Sequence, residues 1–227
     1  MDADQRVYAA VGCHPHFAPM WNESVKDRII NMLDYSPRCV AWGEMGLDYN
    51  CQGGRSPDRD QQRVVFGLQL QAAVRRDLPI VIHGREAMDD IIKVMLDYVP
   101  NNYPTIHLHC CTTSFESLQQ FQEEFPNAKF GFTNKLTRKG TEGEELRRTI
   151  KLLPLHKILT ETDAPYHPPT GWELPEDSPW RRPTRGSLIS HPGMVKAVVK
   201  TIAQVKKIPI YQVAQATYGN ACSVYRL

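Results

Sequence analysis

No stretch of this 227-residue chain approaches the roughly 18 consecutive apolar residues that a membrane-spanning helix needs. The opening residues, Met1-Asp2-Ala3-Asp4-Gln5-Arg6, have neither the basic start nor the apolar core of a secretory signal. Charge of one sign is also scarce: 27 Lys and Arg face 25 Asp and Glu, a formal net charge of +2 with His neutral. So balanced a chain does not draw in a polyanion through its overall field, and a nucleic-acid partner must be held by a local patch or a metal site. The six cysteines, Cys13, Cys39, Cys51, Cys110, Cys111 and Cys222, form no Cys-x-x-Cys pair, so zinc-ribbon and thioredoxin motifs are excluded. Cys39, before Val40-Ala41-Trp42, suits a small buried hydrophobe in a reducing compartment. The expectation is an intracellular protein, nuclear or cytoplasmic, without membrane association or an obligate protein partner.

An apolar fraction of 41% with 23% charged residues is enough for a packed core, and the length suits one domain spanning residues 1–227. Short apolar runs alternate with stretches of helical period, the rhythm of a parallel α/β fold. Strands are expected at Val7 to Val11, Val40 to Trp42, Ile80 to Ile82, Thr105 to Leu108, Lys129 to Phe132 and Ile158 to Thr160. Helices are expected at Val25 to Tyr35 with Ser24 as N-cap, Gln61 to Arg76, Ala87 to Tyr98, Phe115 to Phe125 and Gly143 to Leu153. Two more, from about Gly193 to Lys206 and Pro209 to Tyr218, close the chain. In the second helix, Val64, Val65, Leu68 and Ala72 read as the apolar face that packs on the sheet. The segment from Pro165 to Pro192 holds seven prolines and little apolar period, and reads as a long surface excursion.

Polar residues stand at the C-terminal ends of these strands. Gly12-Cys13-His14-Pro15-His16 follows the first, Gly43-Glu44-Met45-Gly46-Leu47-Asp48-Tyr49 the second, and His83-Gly84-Arg85-Glu86 the third. Then come His109-Cys110 and Glu161-Thr162-Asp163-Ala164-Pro165-Tyr166. Burying such groups without partners is costly, and in parallel α/β folds these strand ends share the rim where active sites assemble. Glu44, His83, His109 and Asp163 form a nitrogen–oxygen set suited to Zn, Mn or, with water completing the shell, Mg. Ile106-His107-Leu108-His109 offers two imidazoles on one strand face; His107 is assigned deeper in the fold, behind the site. His156 and His191 read as surface residues, and His167 as a loop residue near Asp163.

Taken in order, these blocks resemble the signature segments of the TatD-type metal-dependent deoxyribonucleases, and Gly219-Asn220-Ala221 is similar to that family's terminal Asn block. The resemblance implies a TIM-type (β/α)8 barrel of the metal-dependent hydrolase kind, with two divalent ions at its mouth, that cleaves phosphodiester bonds in DNA, RNA remaining an alternative substrate. Carried over by position, Glu44 would bridge the two ions, His83 and His109 would complete one site, and Asp163 would bind the other ion and orient or deprotonate the attacking water. Arg85, His14 and His16 are then candidates to meet a phosphate. A salt bridge of Arg85 to Glu44, Asp48 or Glu86 is the competing reading. Tyr166, Trp172, Trp180, Arg181, Arg182 and Arg185 mix aromatic faces with guanidinium groups as a strand of DNA requires.

The sequence departs from the family in one respect. The His-x-His pair with which the family opens its first strand does not occur here, and about ten residues precede Gly12. This implies an incomplete barrel of about six βα units, the first two missing, with the Asp163 ion poorly held and the activity of this piece reduced. Two rivals follow: an amidohydrolase or lactonase on the same scaffold, and a non-catalytic remnant that serves as an interaction module. Against the first, Glu44 stands where those enzymes commonly carry a carboxylated Lys.

Overall fold

The computed structural model describes residues 4–50, 58–171 and 189–227. Cys51, Trp172, Trp180, Arg181, Arg182 and Arg185 lie outside the described residues. The chain forms two compact units: Met1–His109 with Ser117–Ala128 and Cys222–Leu227, and Cys110–Glu116 with Lys129–Ala221. No helix among the described residues is long and apolar enough to cross a membrane.

In the first unit four strands, β1 (Ala9–Val11), β2 (Cys39–Asp48), β3 (Ile80–Arg85) and β4 (Ile106–His109), pair in parallel in that order. They alternate with α1 (Glu23–Tyr35), α2 (Arg59–Arg75) and α3 (Met88–Tyr98). Asn22, not Ser24, caps α1 by accepting from the Val25 N–H, and Asp58 does the same for Gln61 at the start of α2. The strand core is dry: Trp42, Met45, Leu47, Ile80, Ile82 and Ile106 are all fully buried. Each such side chain contributes roughly 1.5–3 kcal/mol of transfer free energy.

Two expectations fail here. β2 does not end at Trp42; it continues to Asp48, so Glu44 and Asp48 stand on a strand. Gly46 lets β2 lie close against its neighbour, since a Cβ there would come 2.0 Å from the His83 carbonyl oxygen. The face of α2 is also different. Val64 and Leu68 are exposed, whereas Gln62, Val65, Phe66, Gln69, Leu70 and Ala73 are buried. The two glutamines turn inward because each satisfies strand and loop backbone. Gln62 accepts from the Asp48 N–H and donates to its carbonyl; Gln69 does both for Cys13 and also accepts from the Trp42 indole.

In the second unit β5 (Lys129–Phe132) and β6 (Ile158–Thr160) pair in parallel, Phe130 opposite Ile158 and Phe132 opposite Thr160. Around them come α5 (Thr141–Leu152) and α6 (Val195–Lys206), while α4 (Phe115–Glu124) and α7 (Ile210–Tyr225) have residues in both units. Asn220 on α7 donates to the carbonyls of Leu155 and Ile158, tying the helix to the start of β6. α7 runs to Tyr225, well past the expected end at Tyr218.

Candidate metal centre

Register assembles the site. His83 on β3 is the direct partner of His109 on β4 and of Gly46 on β2, so two imidazoles stand side by side with no side chain at the third position. The β2–β3 register shifts between Trp42 and Met45, the stretch that contains Glu44. A strand ladder is uniform except at such an irregularity, which here re-aims one side chain. The Glu44 carboxylate reaches the imidazoles: Oε2 lies 3.4 Å from His83 Nδ1 and 3.3 Å from His109 Nε2, and Oε1 lies 3.9 Å from His14 Nε2.

These distances bear on a metal. Two ligand atoms sharing a tetrahedral ion at about 2.0–2.1 Å stand about 3.3 Å apart, and the Glu44–His83 and Glu44–His109 pairs each have that separation, while the His83 and His109 ring centroids are 6.4 Å apart. Two sets of three donors stand mutually within 4.8 Å among the described residues, His14–Glu44–His83 and His14–His16–Asp48; His109 joins through Glu44. The donors are the neutral imidazoles and carboxylates that suit a divalent ion of intermediate hardness. Burial pushes the Glu44 carboxyl up, but the His83 hydrogen bond and the fields of His109, His83 and His14 bring it below its ordinary value. For His83, burial favours the neutral ring, yet hydrogen bonds to Asp48 and Glu44 outweigh it and raise the pKa.

His14 differs in chemistry. Its Nδ1 accepts from the His16 backbone N–H at 3.1 Å, so the neutral ring carries its proton on Nε2. Burial, followed by the field of His83, lowers its pKa to about 4. A neutral ring with Nε2–H is a donor toward Glu44 or an anionic oxygen and a poor metal ligand through that atom. His16 lies beside it, ring centroids 4.5 Å apart.

Asp48 is the residue that sequence reasoning missed. It is 1% exposed, and its Oδ2 stands 2.9 Å from His16 Nε2 and 3.2 Å from His83 Nε2, while Oδ1 accepts from the Asn50 N–H. Burial raises its carboxyl pKa, and the His83 hydrogen bond with the other partners more than offsets this. With Nε2 of His83 donating to Asp48, Nδ1 is the atom that would turn a lone pair to an ion between it and Glu44, the carboxylate–histidine–metal arrangement. The signal was available: Asp48 sits four residues after Glu44 in the same block, but its strand placement was not.

The other candidates separate. Arg85 is exposed at the end of β3 with no carboxylate at ion-pair distance among the described residues, so the competing reading of a salt bridge to Glu44, Asp48 or Glu86 is not met; Glu86 accepts from Asn50 instead. His107 is buried, its Nδ1 2.6 Å from the Tyr225 hydroxyl. Asp163 belongs to the second unit, where its Oδ2 lies 3.4 Å from His167 Nε2, and Tyr166 beside it is exposed. Next to it, Glu161 accepts from the Cys110 N–H, and burial with the field of Glu161 pushes the Cys110 thiol up to about 12, an inert thiol.

The model of the family described as TatD-related DNase matches residues 1–226. The human 3'-5' RNA nuclease TATDN2 is 38% identical over 221 residues, covering 97% of this chain and 27% of that protein. The 3'-5' ssDNA/RNA exonuclease TatD of Erwinia tasmaniensis is 30% identical over 220 residues, covering 97% of this chain and 78% of that protein. The crystal structure of YjjV, a TatD homologue from Escherichia coli, superposes with a TM-score of 0.83 at 24% identity, covering 100% of this chain and 79% of that one. That likeness gives the fold, an α/β architecture of the TIM-barrel kind. The chain therefore belongs to the TatD-related DNase family and is a metal-dependent hydrolase of the nuclease type.

Proposed function

We propose that the chain removes nucleotides from the 3' end of single-stranded DNA or RNA, using a divalent ion held by Glu44, His83 and His109. The observation that carries this reading is the Glu44 carboxylate at 3.4 Å from His83 and 3.3 Å from His109, with the His83 ring held from behind by Asp48 at 3.2 Å. The two named relatives, which act on ssDNA or RNA in the 3'-5' direction, support the substrate class. A bound ion supplies positive charge against the phosphoryl oxygens and lowers the pKa of a nearby water.

The protein's own groups do the rest. Asp48 fixes the His83 tautomer so that Nδ1 faces Glu44. His14 presents Nε2–H to a phosphoryl oxygen as a neutral donor, which neither adds charge nor titrates near neutral pH. Exposed Arg85 meets a flanking phosphate, and Asp163 orients the attacking water and, in the family pattern, holds a second ion. Tyr166, exposed, offers a ring for stacking of the terminal base.

The test incubates the full chain with 5'-labelled single-stranded DNA and RNA in Mg, Mn, Zn or EDTA. A ladder shortening from the 3' end with metal, absent in EDTA and reduced by a factor on the order of 100 or more in Glu44→Ala and Asp163→Asn, is the expected result. Hydrolysis of a lactone or amide with no cleavage of either nucleic acid under any metal would overturn it.

A further inference from the structure

The second unit contains a row of four polar side chains that ends on Asp163 and of which the nuclease reading leaves the other three, Glu142, Arg138 and His167, without a role. Glu142 on α5 accepts from Nη1 of Arg138 at 2.6 Å, and Arg138 Nη2 stands 3.0 Å from Nδ1 of His167. Across the same ring, His167 Nε2 stands 3.4 Å from Oδ2 of Asp163. The direction of this row is fixed by its second link. A guanidinium has five N–H donors and no acceptor, so the nitrogen facing it must be the acceptor. His167 Nδ1 therefore carries no proton, and the neutral ring holds its single proton on Nε2, the atom facing Asp163. Glu142 grips the other arm of the guanidinium, so the fork that sets the tautomer is itself anchored. His167 also occupies the left-handed backbone region at φ 51°, a conformation that an L residue keeps only where its surroundings hold it.

We propose that His167 is a positioning residue for Asp163, presented as an Nε2–H donor by Arg138, and that this contact sets the rotation of the carboxylate toward the attacking water. The inference rests on the reading of Asp163 as the water-orienting carboxylate. An N–H fixed 3.4 Å from one carboxylate oxygen, an electrostatic contact longer than an ordinary hydrogen bond, favours the carboxylate rotation that keeps that oxygen toward it.

Two measurements on the full chain test it. In metal-free protein at pH 8, ¹⁵N spectra of the histidine rings, with His167 assigned by its loss in His167→Gln, should show the Nε2–H tautomer in the wild type and a mixed population in Arg138→Met. An Nδ1–H tautomer in the wild type, or no change in Arg138→Met, would overturn the role of Arg138 and with it the proposal. In the metal-loaded enzyme, His167→Phe should lower kcat on a single-stranded oligonucleotide by on the order of 10–100-fold with KM little changed. His167→Gln, whose amide nitrogen can take the place of Nε2, should recover most of the loss. A wild-type kcat in His167→Phe, while Asp163→Asn is inactive, would overturn the proposal and leave the role of Asp163 standing. An active Asp163→Asn would overturn both.

Discussion

At Asp48 one carboxylate oxygen serves two imidazoles, at 2.9 Å and 3.2 Å, inside a nearly closed environment. Asp48→Asn keeps the volume but replaces one acceptor oxygen with a donor and removes the charge, so either His83 turns or a buried N–H faces N–H. Titration calorimetry with Zn or Mn should show affinity weakened by on the order of 10–100-fold, and an unchanged isotherm would remove Asp48 from the site. His14 carries a second expectation. Its pKa is about 4 in the folded chain against about 6.5 for a free imidazole. Between those values the unfolded chain binds more protons at this residue, so its contribution to stability is intact above about pH 6.5 and is lost as pH falls toward 4. His83 works in the opposite sense: its raised pKa adds stability that is present at low pH and lost as pH rises. Urea unfolding of His14→Gln across this range should show a shallower acid loss than the wild type; an identical slope would refute the assignment.

At the level of elements, β2 does most of the positioning. It carries Glu44 and Asp48, it registers Gly46 against His83, and α2 holds both its end and the Cys13 backbone through Gln62 and Gln69. Gly46 stands at φ 148° with the His83 carbonyl 2.0 Å from where a Cβ would lie. Gly46→Ala must push β2 from β3, and a loss of about 2–4 kcal/mol in denaturant unfolding is expected, together with weaker metal binding. Stability within about 0.5 kcal/mol of the wild type would show that the strand pair yields at no cost. The inward glutamines explain why periodicity misread α2. Apolar spacing favours Val64 and Leu68 for the buried face, but a polar side chain that satisfies backbone N–H and C=O at once is worth burying. That pairing exists only once β2 and the Cys13 loop are in place.

For the whole molecule, binding and stability are linked. An ion at 100 times its dissociation constant adds about 2.7 kcal/mol. At about 2–4 °C per kcal/mol for a chain of this size, that is a rise in Tm of about 5–11 °C. Differential scanning fluorimetry with Zn or Mn should show this rise in the wild type and its loss in Glu44→Ala; an equal rise in both would place the ion elsewhere. The chain spans 78% of the length of its Erwinia relative and 27% of its human one. Its net charge of +2 gives a nucleic acid little long-range attraction, so the proposed substrate is held by the ion and by groups such as Arg85 and His14.

The α/β rhythm was legible along the chain, as were five of the strands to within two residues at each end or a short extension; Glu44, His83, His109 and Asp163 stood out as candidates, and folding brings the Glu44 carboxylate to the two imidazoles among them. The legible features are local properties: apolar runs, caps and the cost of burying unpaired polar groups act along the chain. The remaining features arise only on folding. That His83 meets His109 depends on strand register, that Asp48 orients His83 depends on β2 continuing past Trp42, and that His14 is a donor depends on one backbone N–H. Each is a relation between atoms brought together by pairing or by a turn, and the order of residues along the chain does not contain it.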